Sequence, residues 1–222
     1  MFRLFILERG ITKNKKAGWK VLFILMKQMK MKMYDDHLKV KDALQLYFSK
    51  YHFKDGGYHL KWFKIKLGFL YVPLPNIKAR IDAVKIHDIH HVVTEYNADY
   101  KGEAEIGAWE IASGCENFSI AWLLNLGSFF IGILFYPRHL IRAFFRGRRC
   151  ATNLYYRTKY DDNLLNKTVG ELREQIDCDS SKSNSYKDYL IFIGWCIVAL
   201  VYHFAIAFVV FYSLCKAGKM LF

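Results

Sequence analysis

Two long apolar segments stand out in the second half of the chain. Residues 189–215 carry no formal charge, and a helix of that length is about 40 Å long, enough to cross a bilayer with some tilt. We predict a transmembrane anchor there, joined to the rest of the protein by a polar linker at 179–188. Residues 120–136 are also uncharged, but they stand at the lower limit for a span and contain Asn125 and several small residues. This segment favours a buried or half-inserted helix that walls a lipid pocket over a second span.

The first 55 residues are predicted to form basic N-terminal helices. Between residues 13 and 33, apolar side chains such as Trp19, Phe23 and Met26 recur at helical spacing among many lysines. Such a helix could lie on a membrane surface, or it could face the core with a solvated lysine side. Asp35 and Asp36 are then expected to cap a second helix.

Residues 56–178 are predicted to form the main helical body. Residues 60–67 alternate apolar with basic side chains, which is typical of a short exposed strand or of a segment at a membrane interface. Pro73 and Pro75 then stop any helix. We expect Asn76 to cap the next helix, with Ile77 and Ile81 on its buried side. The predicted fold class is therefore mainly α, a compact helical lipid-binding body with a C-terminal transmembrane helix.

Composition places this body at a membrane. A hydrophobic content of 53% is high for a soluble protein, and a formal charge of +13 is unusual for a protein embedded wholly in lipid. Together they indicate a basic side facing anionic head groups. Nucleic acid is not expected as a partner, because the basic residues interleave with apolar runs instead of forming a polar stripe. The Lys and Arg residues before the anchor outnumber those after it, which predicts a body on the cytoplasmic side.

The five cysteines are scattered, odd in number and without a C-x-x-C pair. This pattern argues against a disulfide framework and favours a reducing compartment.

A candidate metal site lies in the middle of the chain. His87 and His91 are four residues apart, so on a helix both imidazoles project from one face and can share a metal ion. Asp88 is adjacent, and Glu103 follows after a short turn-rich loop. Nitrogen and carboxylate ligands of this kind suit Zn²⁺, with Fe²⁺ or Mn²⁺ as alternatives. The plain alternative is a solvated helix face that happens to carry two histidines.

A second candidate site follows the apolar segment at 120–136. Arginines recur between residues 138 and 149 among apolar side chains. Arginine binds phosphate through two parallel hydrogen bonds, so Arg142 and Arg146 could bind a diphosphate or a phospholipid head group. The same residues could instead be a positive flank that holds the preceding helix at the interface.

The metal motif resembles a known family. The pattern H-D-x-x-H, eleven residues, then E, formed here by His87, Asp88, His91 and Glu103, is similar to the signature of the coenzyme Q biosynthesis protein 4 family. The run Gly102-Glu103-Ala104 and elements near residues 146–149 and 163–173 also resemble that family. The resemblance covers roughly residues 74–178. Glu95 stands where the family usually has glycine.

The resemblance implies a membrane-associated protein of ubiquinone biosynthesis. It implies that a zinc ion assists removal of the carboxylate from a prenylated benzoate and its replacement by hydroxyl. The ion would be bound by His87, His91 and Glu103, with Asp88 as a fourth ligand or as an outer acceptor for an imidazole N–H. Glu110 is then a candidate for proton handling, and Glu95 for a substitute ligand or base. Expected partners are a polyprenyl lipid or quinone precursor, the membrane, other biosynthetic enzymes and a second copy in a homodimer.

Two other functions remain open at this point. The family has also been interpreted as a non-catalytic scaffold that binds isoprenoid lipid and gathers biosynthetic enzymes, in which case the metal is structural. A metal-dependent lipid hydrolase is a third hypothesis, with Glu95 or Glu110 as its base.

Overall fold

A computed structural model describes residues 32–67, 70–156, 158–179 and 181–219. The chain divides into two units at Met33 and Tyr34. Nearly all of the first unit lies outside the described residues, and so does most of the amphipathic helix predicted at 13–33. The second unit contains every element discussed below.

The described part of the chain is mainly helical, with eight helices and one two-stranded sheet. In chain order the elements are α1 (Val40–Tyr51), β1 (Trp62–Leu67), β2 (Leu70–Pro75), α2 (Lys78–Thr94), α3 (Tyr100–Ser113), α4 (Ser119–Phe135), α5 (Pro137–Arg148), α6 (Asp162–Asn166), α7 (Val169–Ile176) and α8 (Tyr186–Lys219). The prediction of a mainly helical protein with one long apolar C-terminal helix is confirmed. The strand expected near 60–67 is also present, and β2, which the two prolines did not suggest, pairs with it antiparallel.

Helix α3 lies at the centre of the body and packs closely on α4 and α5. At Gly107 a methyl group would collide with the Ser128 hydroxyl of α4, and at Gly147 of α5 it would collide with the Trp109 carbonyl. The two glycines therefore allow helix backbones to approach more closely than larger residues would permit. Trp109 itself is fully buried. The close packing fixes the position of α3, on which the candidate site depends.

The start of α2 differs from the prediction. Its N-cap is Ile77, which is 49% exposed, and no side chain caps the helix. The side-chain amide of Asn76 instead donates to the backbone carbonyls of Gly57 and Leu60. The expected Asn76 cap and the buried position of Ile77 were therefore wrong, because Asn76 closes the base of the hairpin instead of serving the helix.

Helix α8 contains a segment, Tyr186–Ser213, that is long and apolar enough to cross a membrane. Only 6% of its most apolar window is buried in the protein, so α8 is unlike the core helix of a soluble domain. Its first half packs on α4, where Trp195 stacks on Trp122 and His203 stacks on Phe130. Most of its large side chains after His203 are exposed.

Helix α4 corresponds to the shorter apolar segment predicted at 120–136. One of its faces is buried in the body, through Ala121, Asn125, Phe129 and Gly132, whereas Leu134 and Phe135 are exposed.

The cysteines depart from the prediction in one respect. Cys150, after α5, forms a disulfide with Cys178, after α7. The cysteine pattern had argued against a disulfide framework and had not indicated this single pair, so it no longer supports a reducing compartment.

Candidate metal centre

Helix α2 carries two histidines of the motif on one face. The C-terminal half of this helix is almost completely buried, including the polar side chains of Asp88, His90 and His91. Buried polar side chains need hydrogen-bond partners or a ligand. The helix ends at Thr94, and the left-handed backbone conformation of the next residue, Glu95, turns the chain back toward α3.

Helix α3 brings Glu103 to these histidines from its first turn. The Asp99 side chain caps this helix by accepting from the Gly102 amide. A side chain at Gly102 would collide with the Asn97 backbone, so glycine allows the loop to fold tightly over the start of α3. The side chain of Glu103 is 40% exposed, and the site therefore reaches the protein surface.

Three side chains that could bind a metal ion converge at this point. The Nε2 atoms of His87 and His91 are 3.1 Å apart. The Oε2 atom of Glu103 lies 3.4 Å from the His87 nitrogen, and its Oε1 atom lies 3.3 Å from the His91 nitrogen. Tetrahedral ligands at about 2.05 Å from a zinc ion are about 3.3 Å from one another. The spacing of His87, His91 and Glu103 therefore fits a small divalent ion, and among the described residues only this group of histidine, cysteine or acidic side chains has such a geometry.

Hydrogen bonds to the opposite ring nitrogens orient both histidines. The Nδ1 atom of His91 lies 3.0 Å from the Tyr96 carbonyl. Because a carbonyl only accepts, this Nδ1 carries a proton, and in the neutral ring Nε2 keeps its lone pair. The Nδ1 atom of His87 lies 2.9 Å from Glu110. Such outer partners of a metal-binding histidine fix its tautomer and raise its basicity.

Glu110 is completely buried and is the centre of a larger hydrogen-bond network. Besides His87, its carboxylate accepts from His90, Asn125 and Tyr155. Four donors saturate the two oxygens, so Glu110 positions its neighbours and has no lone pair directed at a substrate. The sequence interpretation, in contrast, had given this residue a role in proton handling.

His90 is part of this network, although the sequence interpretation had left it out. Its Nε2 accepts from the Leu154 amide, so its Nδ1 donates to Glu110. Burial lowers the pKa of His90 and favours the neutral ring. The only sequence signal was its position three residues after His87, on an adjacent part of the buried face.

The remaining predicted site residues do not join the three ligands. The Asp88 carboxylate accepts from the Tyr58 hydroxyl, and Glu95 pairs with Arg173 at 2.8 Å. Arg146 donates to the Thr94 carbonyl, which holds the end of α2. Arg142 is exposed on α5. The structure thus brings together His87, His91 and Glu103, but not Asp88, and it places Glu95, Arg142 and Arg146 elsewhere.

The charges of the site act on each other strongly. Desolvation alone would lower the pKa of His87, but the carboxylates of Glu110 and Glu103 raise it well above its usual value. Desolvation alone would raise the pKa of Glu103, yet the two histidines lower it below the usual carboxyl range. Burial raises the pKa of Asp88 to about 6. Without a metal ion, the two carboxylates therefore favour a protonated His87.

Comparison with known proteins identifies no relative: no family model, no curated protein and no solved structure matches the chain.

Proposed function

We propose that this chain is a membrane-attached metalloprotein that acts on a prenylated aromatic carboxylic acid during quinone biosynthesis. The observation that carries the proposal is the convergence of His87, His91 and Glu103, with both imidazole Nε2 atoms turned inward. These are three of the four positions on which the resemblance to the coenzyme Q biosynthesis protein 4 family rests. Because no family model matches, the support comes from this motif and its geometry alone.

The donor set suits a zinc ion, with ferrous iron or manganese as alternatives. Three protein ligands with a free fourth position are typical of catalytic zinc sites, whereas structural sites are closed by four. A divalent ion held there would polarise a substrate carboxylate and stabilise negative charge that develops on the ring. Glu110 and the Tyr96 carbonyl keep the two imidazoles in place, and the partly exposed Glu103 leaves the site open to a substrate.

The apolar helices supply the membrane part of the proposal. A polyprenyl tail is insoluble in water, so an enzyme that binds it must take it from the bilayer. On this proposal α8 anchors the chain, and the exposed end of α4 at Leu134 and Phe135 offers an apolar surface for the tail. The cytoplasmic position of the body stays a prediction from the charge pattern.

The test is the prenyl-lipid profile, by mass spectrometry, of cells that lack the protein and are complemented with variants. We expect a carboxylated prenyl-aromatic precursor to accumulate, and to be cleared by wild type and by the control His139→Ala but not by His91→Ala. His139 is a suitable control because it pairs with Glu105 outside the metal centre.

Two other results would contradict the proposed chemistry. If wild type and His91→Ala restore the quinone equally, the metal centre is dispensable and the non-catalytic lipid-binding scaffold is the better account. If the profile is the same in every strain, the protein does not act in this pathway.

A further inference from the structure

The hairpin of β1 and β2 exposes an unusual combination of side chains. Residues directly opposite each other in an antiparallel pair share a face, so the register places Trp62, Lys64, Tyr71, Pro73 and Pro75 on one side of the sheet. We call these five residues the hairpin face. Trp62 is 60% exposed and Tyr71 is 56% exposed. The register thus places two large, amphipathic aromatic side chains on the same surface as Lys64.

The chain in and around the hairpin carries positive charge. Between Asp55 and Asp82 it contains no aspartate or glutamate and four lysines, Lys61, Lys64, Lys66 and Lys78, besides Arg80 on the opposite side of the sheet. A basic surface of this kind is complementary to anionic lipid head groups, and each lysine near such a surface increases binding about fivefold. Tryptophan and tyrosine are the side chains that prefer the level of the head groups.

The two prolines disfavour a different occupant, an additional strand along β2. The backbone N–H of Asn76 donates to the Lys61 carbonyl. Because hydrogen-bonded and non-hydrogen-bonded positions alternate along an antiparallel strand, the backbone nitrogens of Pro75 and Pro73 face away from β1. Proline has no N–H to donate there. An added strand would therefore lack two backbone hydrogen bonds, which is a common way of protecting a sheet edge.

The base of the hairpin is attached firmly to the helix of the metal centre. The Arg80 guanidinium lies 3.6 Å from the centre of the Phe63 ring, on the side of the sheet opposite the hairpin face. The same guanidinium donates to the Asn76 side chain at 2.7 Å. Since Arg80 is in the first turn of α2, the orientation of the hairpin is coupled to the helix that carries His87 and His91.

We propose that the hairpin face is a second membrane contact, which docks on anionic lipid head groups and orients the metal centre toward the bilayer. The lysines approach the phosphates, and Trp62 and Tyr71 enter the interface between head groups and acyl chains. The inference rests on the membrane attachment of the proposed function, because α8 then keeps the hairpin close to a lipid surface.

The test uses the full chain in lipid nanodiscs of phosphatidylcholine, alone or mixed with phosphatidylglycerol. Lipids brominated near the head group quench a tryptophan that enters the interface, and the difference between wild type and Trp62→Phe isolates the signal of Trp62. We expect this signal to be quenched in the anionic discs and much less in the neutral ones. The double variant Lys61→Glu/Lys64→Glu should lose the quenching, since removal of two lysines weakens binding by about 25-fold.

The matched control is Lys41→Glu/Lys159→Glu, which changes the net charge equally at two exposed lysines outside the hairpin. It should retain the quenching of Trp62. Equal quenching in both lipid mixtures, or quenching that persists in the hairpin double variant, would overturn the proposal. An absence of quenching in every disc would also overturn it, because Trp62 would then not reach the lipid interface. Incorporation into the discs is measured separately, so a failure of the α8 anchor is distinguishable from a failure of the hairpin contact.

Discussion

Replacement of Glu110 by glutamine tests how the metal centre is pre-organised. One carboxylate oxygen accepts from the rings of His87 and His90 at 2.9 and 2.6 Å. The other oxygen accepts from Asn125 and Tyr155. Glutamine keeps the shape but has an NH₂ group in place of one oxygen. That group faces either the two ring N–H groups or the Asn125 amide and the Tyr155 hydroxyl, and of these four donors only the hydroxyl can also accept.

The cost to metal binding follows from the tautomers. If the new NH₂ group faces the rings, His87 relieves the conflict by moving its proton to Nε2, where it blocks the ligand position. His90 has no such choice, because its Nε2 already accepts from the Leu154 amide. If the NH₂ group faces the other way, the rings keep an acceptor but lose its negative charge. Loss of an outer partner of this kind lowers metal affinity by about 10–100-fold, and a buried donor left unpaired destabilises the fold by about 1–3 kcal/mol.

The assay is a competition titration of zinc between a chelator and the detergent-solubilised chain, accompanied by thermal unfolding. Glu105→Gln is the matched control, because Glu105 is on the same helix and pairs with His139 at 3.0 Å, where both side chains are partly exposed. The control should bind zinc like wild type. Wild-type affinity in Glu110→Gln, or an equal loss in both variants, would refute the idea that Glu110 orients the ligands.

Three further predictions concern proton release, the hydrogen bonds of Arg173 and the packing of the helices. Zinc binding at neutral pH should release about one proton, because His87 has a raised pKa and must lose its proton to bind the metal. Calorimetry in buffers of different ionisation heat measures the number of protons released, and a binding heat that is independent of the buffer would contradict the prediction. Arg173→Ala should lower the free energy of unfolding by about 2 kcal/mol, because two carboxylates and several carbonyls lose a donor. This value already allows for the partial exposure of these groups to solvent. The exposed control Arg142→Ala should change the free energy of unfolding by less than about 0.5 kcal/mol. Gly147→Ala should destabilise the protein by about 1–3 kcal/mol, since the new methyl group collides with the Trp109 backbone. Gly127→Ala, in open space within α4, should instead stabilise it by about 0.5–1 kcal/mol. Thermal unfolding compares the two variants, and similar midpoints would count against the packing of α3 on α5.

The ligands that sequence could place are those fixed by helical geometry. His87 and His91 share a face because they are four residues apart on a helix. The short loop between α2 and α3 then restricts where Glu103 can lie. Asp88 follows His87 directly, so its side chain leaves the helix about 100° further round. There it accepts from the Tyr58 hydroxyl, outside the group formed by the three ligand side chains.

The surroundings of the ligands could not be predicted because they come from distant parts of the chain. The tautomer of His90 is fixed by the backbone amide of Leu154, which is 64 residues away, and Asn125 reaches Glu110 from α4. The pair of Cys150 and Cys178 depends likewise on how the ends of α5 and α7 meet. Periodicity predicts which face of a helix is buried, but it does not predict which other element covers that face.

The most direct test of the account is the metal content of the purified full chain. The protein is exposed to zinc, unbound ions are removed, and its metal content is measured by mass spectrometry. We expect about one zinc ion per wild-type chain, as for a single centre with three protein ligands. His91→Ala and Glu103→Ala should contain almost none, while the folded control His139→Ala should contain as much as wild type. Full zinc occupancy in His91→Ala would contradict the central claim that His87, His91 and Glu103 form a metal centre.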